Sequence, residues 1–212
     1  ATPLVQDSCL FAREHGVAAL LPFIAHYMPG TPVLPVAISI RSGRADWEAL
    51  ASALAPLVTG RTLIVQSTDF SHYLPHHAAR LRDQQTLNVL ASGSLDAVAA
   101  LNQPEHLDSA GAMYVHMALQ QRLRGAAPRV FASENGQQYA GRFVAETTSY
   151  MVMAFMPPEA APPLLPAGAR RFFLGGDTFF GRGMSRALLD EPAGERVERA
   201  VLSRTGGAPL VL

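Results

Sequence analysis

Asp69 and His72 stand in the stretch Ser67-Thr68-Asp69-Phe70-Ser71-His72-Tyr73, shortly after the uncharged run Thr62-Leu63-Ile64-Val65. A carboxylate beside an imidazole can move a proton or hold a divalent metal ion. The run before them reads as a short buried strand: it is apolar, partly β-branched and preceded by Gly60. Such a strand would deliver Asp69 and His72 to the carboxyl edge of a sheet, where open α/β folds bind ligands. If the chain turns helically there, the two side chains face the same way. The same residues also read as an Asp/Ser turn whose side chains satisfy backbone amides.

Composition narrows the chemistry. All 17 basic residues of this 212-residue chain are Arg. Without a lysine amine, Schiff-base catalysis and a Walker-type phosphate lysine are excluded within this sequence. The single cysteine, Cys9, excludes an internal disulfide and any zinc site of several thiolates, leaving His and carboxylates as metal ligands. Net charge is zero and charged residues make up 16%, so there is no electrostatic footprint for nucleic acid or an anionic membrane. No apolar run reaches the ~20 residues of a transmembrane span. No charged region precedes an apolar core at Ala1, so no secretory signal is visible. With the low cysteine content this favours a cytoplasmic location. The chain reads as cut at both ends, lacking an initiating Met and stopping on the apolar Pro209-Leu210-Val211-Leu212.

The elements that must position the Asp/His stretch follow from periodicity. Residues 10–27 read as one helix ended by Pro29-Gly30, and residues 33–40 as a strand interrupted by Pro35. Residues 46–58 read as a second helix with Asp46 as N-cap. Pro75 opens a helix to about Ala91, Ser94 caps a short helix to Leu101, and residues 112–123 form another helix stopped by Gly125. Residues 129–133 and 149–155 read as strands flanking the Glu134-Asn135-Gly136 turn. This alternation predicts an α/β domain with a mostly parallel or mixed sheet. Residues 157–169 hold five prolines without periodicity and read as a linker, after which Arg171 to Leu174 starts a new strand.

Residues 10–155 resemble the C-terminal two-thirds of a Memo-family protein, the component called AmmeMemoRadiSam system protein B in prokaryotes. The resemblance rests on Arg13-Glu14-His15 with Leu20-Leu21-Pro22-Phe23, on Asp69-Phe70-Ser71-His72, on the helix after Gly111, and on Ser133-Glu134-Asn135-Gly136 before the closing strand. It implies a layered sheet with helices on both faces, like that of the LigB-type extradiol dioxygenases, which hold non-haem iron in a His-rich pocket. It makes His72 a pocket histidine and metal ligand, gives Asp69 and His72 the catalytic positions, and puts His15, Ser67, Ala110 and Gly111 at the pocket. The family's two upstream pocket histidines would lie before Ala1. Its pocket cysteine falls on Ala110, which neither binds metal nor acts as a nucleophile. The resemblance therefore implies iron or another divalent metal in a full-length protein and an incomplete shell here.

Beyond the linker, Phe172-Phe173-Leu174-Gly175-Gly176-Asp177-Thr178-Phe179-Phe180-Gly181-Arg182-Gly183 resembles the opening of CapA-type domains of capsule or poly-γ-glutamate synthesis. That implies the first β-α unit of a calcineurin-like metallophosphatase, with Asp177 as one ligand of a two-metal site. The expected organisation is a Memo-like domain over 1–156, a linker over 157–169 and the start of a CapA-like domain over 170–212, in a two-domain bacterial protein. Two functions follow. One is a non-haem-metal or redox-related module serving a radical-enzyme system, with a small molecule or a protein as partner. The other is a non-catalytic Memo-like scaffold attached to the CapA-like domain. The sequence leaves open whether the chain is an enzyme.

Overall fold

The chain divides into two units, Ala1–Ala160 and Ala161–Leu212, and a computed structural model describes residues 9–12 and 14–157. The expected linker beyond Pro157, the CapA-like segment and Asp177 lie outside the described residues. Helices α1 (His15–Ala18), α2 (Leu21–Tyr27), α3 (Arg44–Leu54), α4 (His76–Ser92), α5 (Leu95–Ala99) and α6 (Ala110–Arg124) accompany strands β1 (Phe70–Leu74), β2 (Ala127–Asn135) and β3 (Thr147–Met156). Among the described residues no helix is long and apolar enough to cross a membrane.

Helix α6 is the centre of the unit. Ten of its residues between Ala110 and Gln120 are buried, on all sides of the helix. A helix apolar or small all round can exist only inside other layers. Helix α3 supplies one of them: the rings of Trp47 and Tyr114 lie 5.6 Å apart at 47°. Helix α5 covers α6 from another direction, and β2 also packs on it. Each fully buried Met or Leu here, such as Met113, Met117 and Leu107, contributes about 1.5–3 kcal/mol through burial.

Helix ends follow local chemistry. Ser94 and Ser109 accept hydrogen bonds from the amides of Ala97 (3.2 Å) and Ala112 (3.3 Å) and so start α5 and α6. Gly93 (φ 67°) and Gly125 (φ 59°) stop α4 and α6 in the left-handed conformation that glycine adopts without steric cost. The start of α3 differs from expectation: Gly43 is the N-cap, and Asp46, in the first turn, accepts the Gly43 amide at 3.0 Å. The single helix expected over 10–27 is broken. Glu14 takes the Gly16 amide at 2.9 Å to start α1, and Pro22, lacking a donor, sits in the first turn of a separate α2.

The sheet has the order β1-β3-β2 and is antiparallel throughout. The α/β class stands, but the described sheet is not parallel. The expected strands 129–133 and 149–155 are present within β2 and β3. Those expected over 33–40 and 62–65 are not. A strand is a ladder of backbone bonds, and these segments find no partner strand among the described residues. Side chains in 62–66 do alternate in burial: Ile64 packs on the core, while Leu63 and Val65 are 64% and 50% exposed.

Helix α4 crosses the sheet and is fastened to it by buried polar groups. Ser149 Oγ donates to Asp83 Oδ2 (2.6 Å) and accepts from Asn135 Nδ2 (2.9 Å). Asn135 Oδ1 accepts from Thr147 Oγ1 at 2.7 Å and lies 3.1 Å from His76 Nδ1, which identifies Nδ1 as the protonated ring nitrogen. Ser71 Oγ donates to the Ala79 carbonyl at 3.2 Å, tying β1 to the same helix.

Gly111 marks the closest approach of α6 to its cover. A Cβ added there would lie 2.6 Å from Trp47 Nε1 and 2.8 Å from Ile38 Cγ2. Gly111→Ala is therefore expected to lower stability by about 1–3 kcal/mol. Urea denaturation followed by the fluorescence of Trp47, the sole tryptophan, measures this. A loss below about 0.5 kcal/mol would mean that the α3–α6 contact simply gives way.

Candidate functional site at the head of strand β1

Strand β1 begins one residue after Asp69 and contains His72, so the Asp/His pair does not sit in a loop after a strand. The expected geometry is corrected accordingly: residues 62–69 lead up to the strand, and the ladder starts at Phe70. One edge of β1 pairs with β3. The other is closed by residues 104–108, through His72 N to the Pro104 carbonyl (3.1 Å) and Asp108 N to the Asp69 carbonyl (2.9 Å). Phe70, buried at 2% exposure, bridges to Leu107 on the same side.

The pairing of β1 with β3 is irregular. Phe70, His72 and Leu74 face Ser149, Thr148 and Thr147, so two residues of β1 are used for each one of β3. Such bulges raise local twist and re-aim side chains. Tyr73, inside this stretch, has φ 58°, a conformation uncommon for a residue with a Cβ. Its ring lies 3.7 Å from the His72 ring at an interplanar angle of 38°.

The bulges set His72 opposite Thr148, and His72 Nδ1 lies 2.5 Å from Thr148 Oγ1. The other ring nitrogen, Nε2, makes no hydrogen bond among the described residues. Asp69 and Asp108 are joined by their backbones, with the Asp69 amide also donating to Asp108 Oδ1 at 3.2 Å. Partial desolvation raises the Asp108 carboxyl above the usual carboxylate range, and the Asp69 charge adds to this, while His72 acts in the opposite sense. The corner thus holds an oriented imidazole near Asp108, whose carboxyl lies above the usual range, with Asp69 beside it.

The other expected site residues have distinct surroundings. His15 is solvent-facing, with a side chain 97% exposed and Nδ1 3.8 Å from Glu14 Oε1. Ser67 lies beside the same turn, since a Cβ on Gly16 would come within 3.8 Å of its Oγ. Ala110 is buried, with its amide bonded to Gln103 Oε1 at 2.8 Å, and Gly111 lies under Trp47. Asp108 and Thr148 were not singled out from the sequence. Asp108 had a visible signal, a carboxylate just before the helix cap Ser109; Thr148 had none, because its role depends on register.

Iron as implied by the resemblance does not fit the described residues alone. Among them no three His, Cys, Asp or Glu side chains are placed to share a metal ion. His72 and Asp69 offer at most part of a coordination shell.

The approach to the site is held from below by α6. Arg124 donates to the carbonyls of Thr59 (3.2 Å) and Thr62 (2.7 Å). His116 Nδ1 lies 3.1 Å from Gln66 Oε1, and His116 Nε2 lies 3.2 Å from Gln120 Nε2. These partners suit a neutral ring protonated on Nδ1.

These features define a mixed α/β protein with an acid–imidazole corner at the head of a bulged strand. The family model for Memo-like proteins matches residues 4–143, and the chain belongs to that family. A MEMO1 family protein of Caldivirga maquilingensis is 30% identical over 90 residues, which are 40% of this chain and 30% of the relative. A MEMO1 family protein of Pyrobaculum aerophilum is 29% identical over 86 residues, 39% of this chain and 30% of that protein. One of Pyrobaculum arsenaticum is 28% identical over 86 residues, again 39% and 30%. The aligned stretch thus spans under a third of each relative's length. No solved structure matches the chain.

Burial lowers the His116 pKa from its ordinary value to about 4, and the Arg124 charge adds to the shift. The folded state therefore favours neutral His116, and this contribution is complete above the unfolded value of about 6.5. It is lost as pH falls from there toward 4. Between pH 7.5 and 4.5 the loss is expected to be about 2–3 kcal/mol. His106, shifted the same way mainly by burial, adds its own share, so the test is a difference. Urea denaturation of His116→Asn should show a shallower acid loss than wild type by about that amount. Parallel pH profiles would overturn the assignment.

Proposed function

We propose that the chain is the Memo-like part of a non-haem-metal or redox-related module of the AmmeMemoRadiSam system protein B type. In this reading His72 Nε2 and the Asp69 carboxylate meet the ligand. The observation that carries it is the bond between His72 Nδ1 and Thr148 Oγ1. A histidine whose one nitrogen is fixed by a neighbour presents the other in a defined direction, as ligating and proton-transferring histidines do. Asp108, its carboxyl raised by partial desolvation and by the Asp69 charge, stands beside Asp69. Service to a radical-enzyme partner rests on the resemblance alone.

A second reading is favoured by Ala110, which is buried at the start of α6 and brings no ligating atom. It makes the chain a non-catalytic scaffold for a CapA-like metallophosphatase involved in capsule or polyglutamate synthesis.

Anaerobic equilibrium dialysis against ferrous iron separates the two, on a full-length protein that carries this chain together with the two pocket histidines the resemblance places before Ala1. On the first reading the wild type retains iron, and His72→Ala or Asp69→Asn lowers affinity. Thr148→Val, which removes the orienting hydroxyl, is expected to cost about 10-fold or more. Retention unaffected by all three substitutions, or no retention by wild type, would overturn the first reading.

A further inference from the structure

The polar network between α4 and the sheet leaves one atom over. Asp83 is 7% exposed and its Oδ2 accepts from Ser149, yet its Oδ1 is buried with no hydrogen-bond partner. A buried carboxylate oxygen without a donor is unfavourable, and an added donor relieves it. Asp83 also lines a cavity of about 260 Å³, half open to solvent, bordered by α4 and the end of β2. At about 30 Å³ per water molecule, that space suits a molecule of only a few heavy atoms or a small water cluster.

The cavity's other groups restrict the ligand's chemistry. Its lining includes His76, Arg80, Gln84, Glu134 and Asn135. His76 Nδ1 and the Asn135 carbonyl oxygen satisfy one another, and Gln84 Nε2 is directed to Asn88 Oδ1 at 3.1 Å. Arg80 and Glu134 form no ion pair among the described residues. The lining therefore offers the Asp83 carboxylate, one of whose oxygens lacks a donor, and, at its solvent-exposed margin, the Glu134 carboxylate and the Arg80 guanidinium. A metal ion would need several converging ligands, and among the described residues no such group is present. A small organic ammonium needs only hydrogen-bond acceptors.

We propose that the cavity between α4 and the end of β2 binds a small zwitterionic amine of amino-acid size. Its ammonium group donates to Asp83 and Glu134, and its carboxylate is received by Arg80. Because Asp83 Oδ1 is enclosed, occupancy requires the Asp83 side chain to turn toward the cavity, where the ammonium group satisfies the leftover oxygen. Because neither Asp69 nor His72 lines the cavity, binding here is a property separate from the β1 corner.

The test is a ¹⁵N–¹H NMR titration of the full chain with glycine, β-alanine and 4-aminobutyrate. Ethylammonium and acetate serve as singly charged controls. The expected result is that at least one zwitterion shifts amides in residues 76–84 and 133–135 in a saturable manner, and does so more tightly than either control. Asp83→Asn keeps an acceptor for Ser149 and is expected to weaken binding about tenfold or more. Arg80→Ala, on the exposed face of α4, should weaken the zwitterion while leaving ethylammonium unaffected. Should Asp83→Asn fail to fold, Arg80→Ala and Glu134→Gln carry the same comparison. No saturable shift with any zwitterion, equal binding of a control, or indifference to these substitutions would overturn the proposal.

Discussion

Burial of α6 on every side is the constraint from which the rest of the unit follows. A helix whose residues from Ala110 to Gln120 are nearly all enclosed cannot be stable until α3, α5 and the sheet have closed around it. Its polar members must then find partners inside. Tyr114 Oη donates to Glu48 at 3.1 Å, and His116 and Gln120 bond to one another and, through His116, to Gln66. Those internal partners set where residues 59–69 run. The approach to the candidate site is therefore positioned by the core, not by a loop's own preferences.

Strand β1 shows how that constraint reaches the chemistry. It is held on one edge by β3 and on the other by residues 104–108, so its bulges cannot relax by sliding in register. The unusual backbone of Tyr73 and the turn of His72 toward Thr148 are maintained by both edges at once. The loop that closes the second edge also delivers Asp108 to Asp69. One piece of backbone pairing thus fixes β1 on its second edge and brings Asp108 beside Asp69.

Much of this was legible in the sequence where local chemistry decides the outcome. Ser94 and Gly125 bound helices as their side chains or lack of them require, and β2 and β3 contain the stretches 129–133 and 149–155 expected as strands. Asp69 and His72 also stood out by residue type. Legibility failed where a distant partner decides. Thr62 to Val65 has strand composition, but composition cannot supply a neighbouring strand, and the ladder forms instead on Phe70 to Leu74. Periodicity over 10–27 overrode the break that Pro22 imposes. Thr148 could be linked to His72 only through a bulged register, which no single-chain pattern encodes.

The exclusive use of arginine fits the same picture of fixed geometry. Arg124 at the end of α6 reaches two carbonyls of one turn, those of Thr59 and Thr62. Arg122 binds the Glu48 carboxylate, holding its pKa below the ordinary value and joining α6 to α3. Arg44 pairs with Asp96 across α3 and α5 and lies 6.0 Å from the Tyr114 ring centroid. Each contact is exposed, so its stabilisation is small. Their value lies in direction: a planar guanidinium can engage two acceptors or a ring face, whereas a lysine ammonium acts as a flexible point charge. Around a buried helix without tolerance for rotation, such contacts fix the angle of each covering element more than they add to its stability.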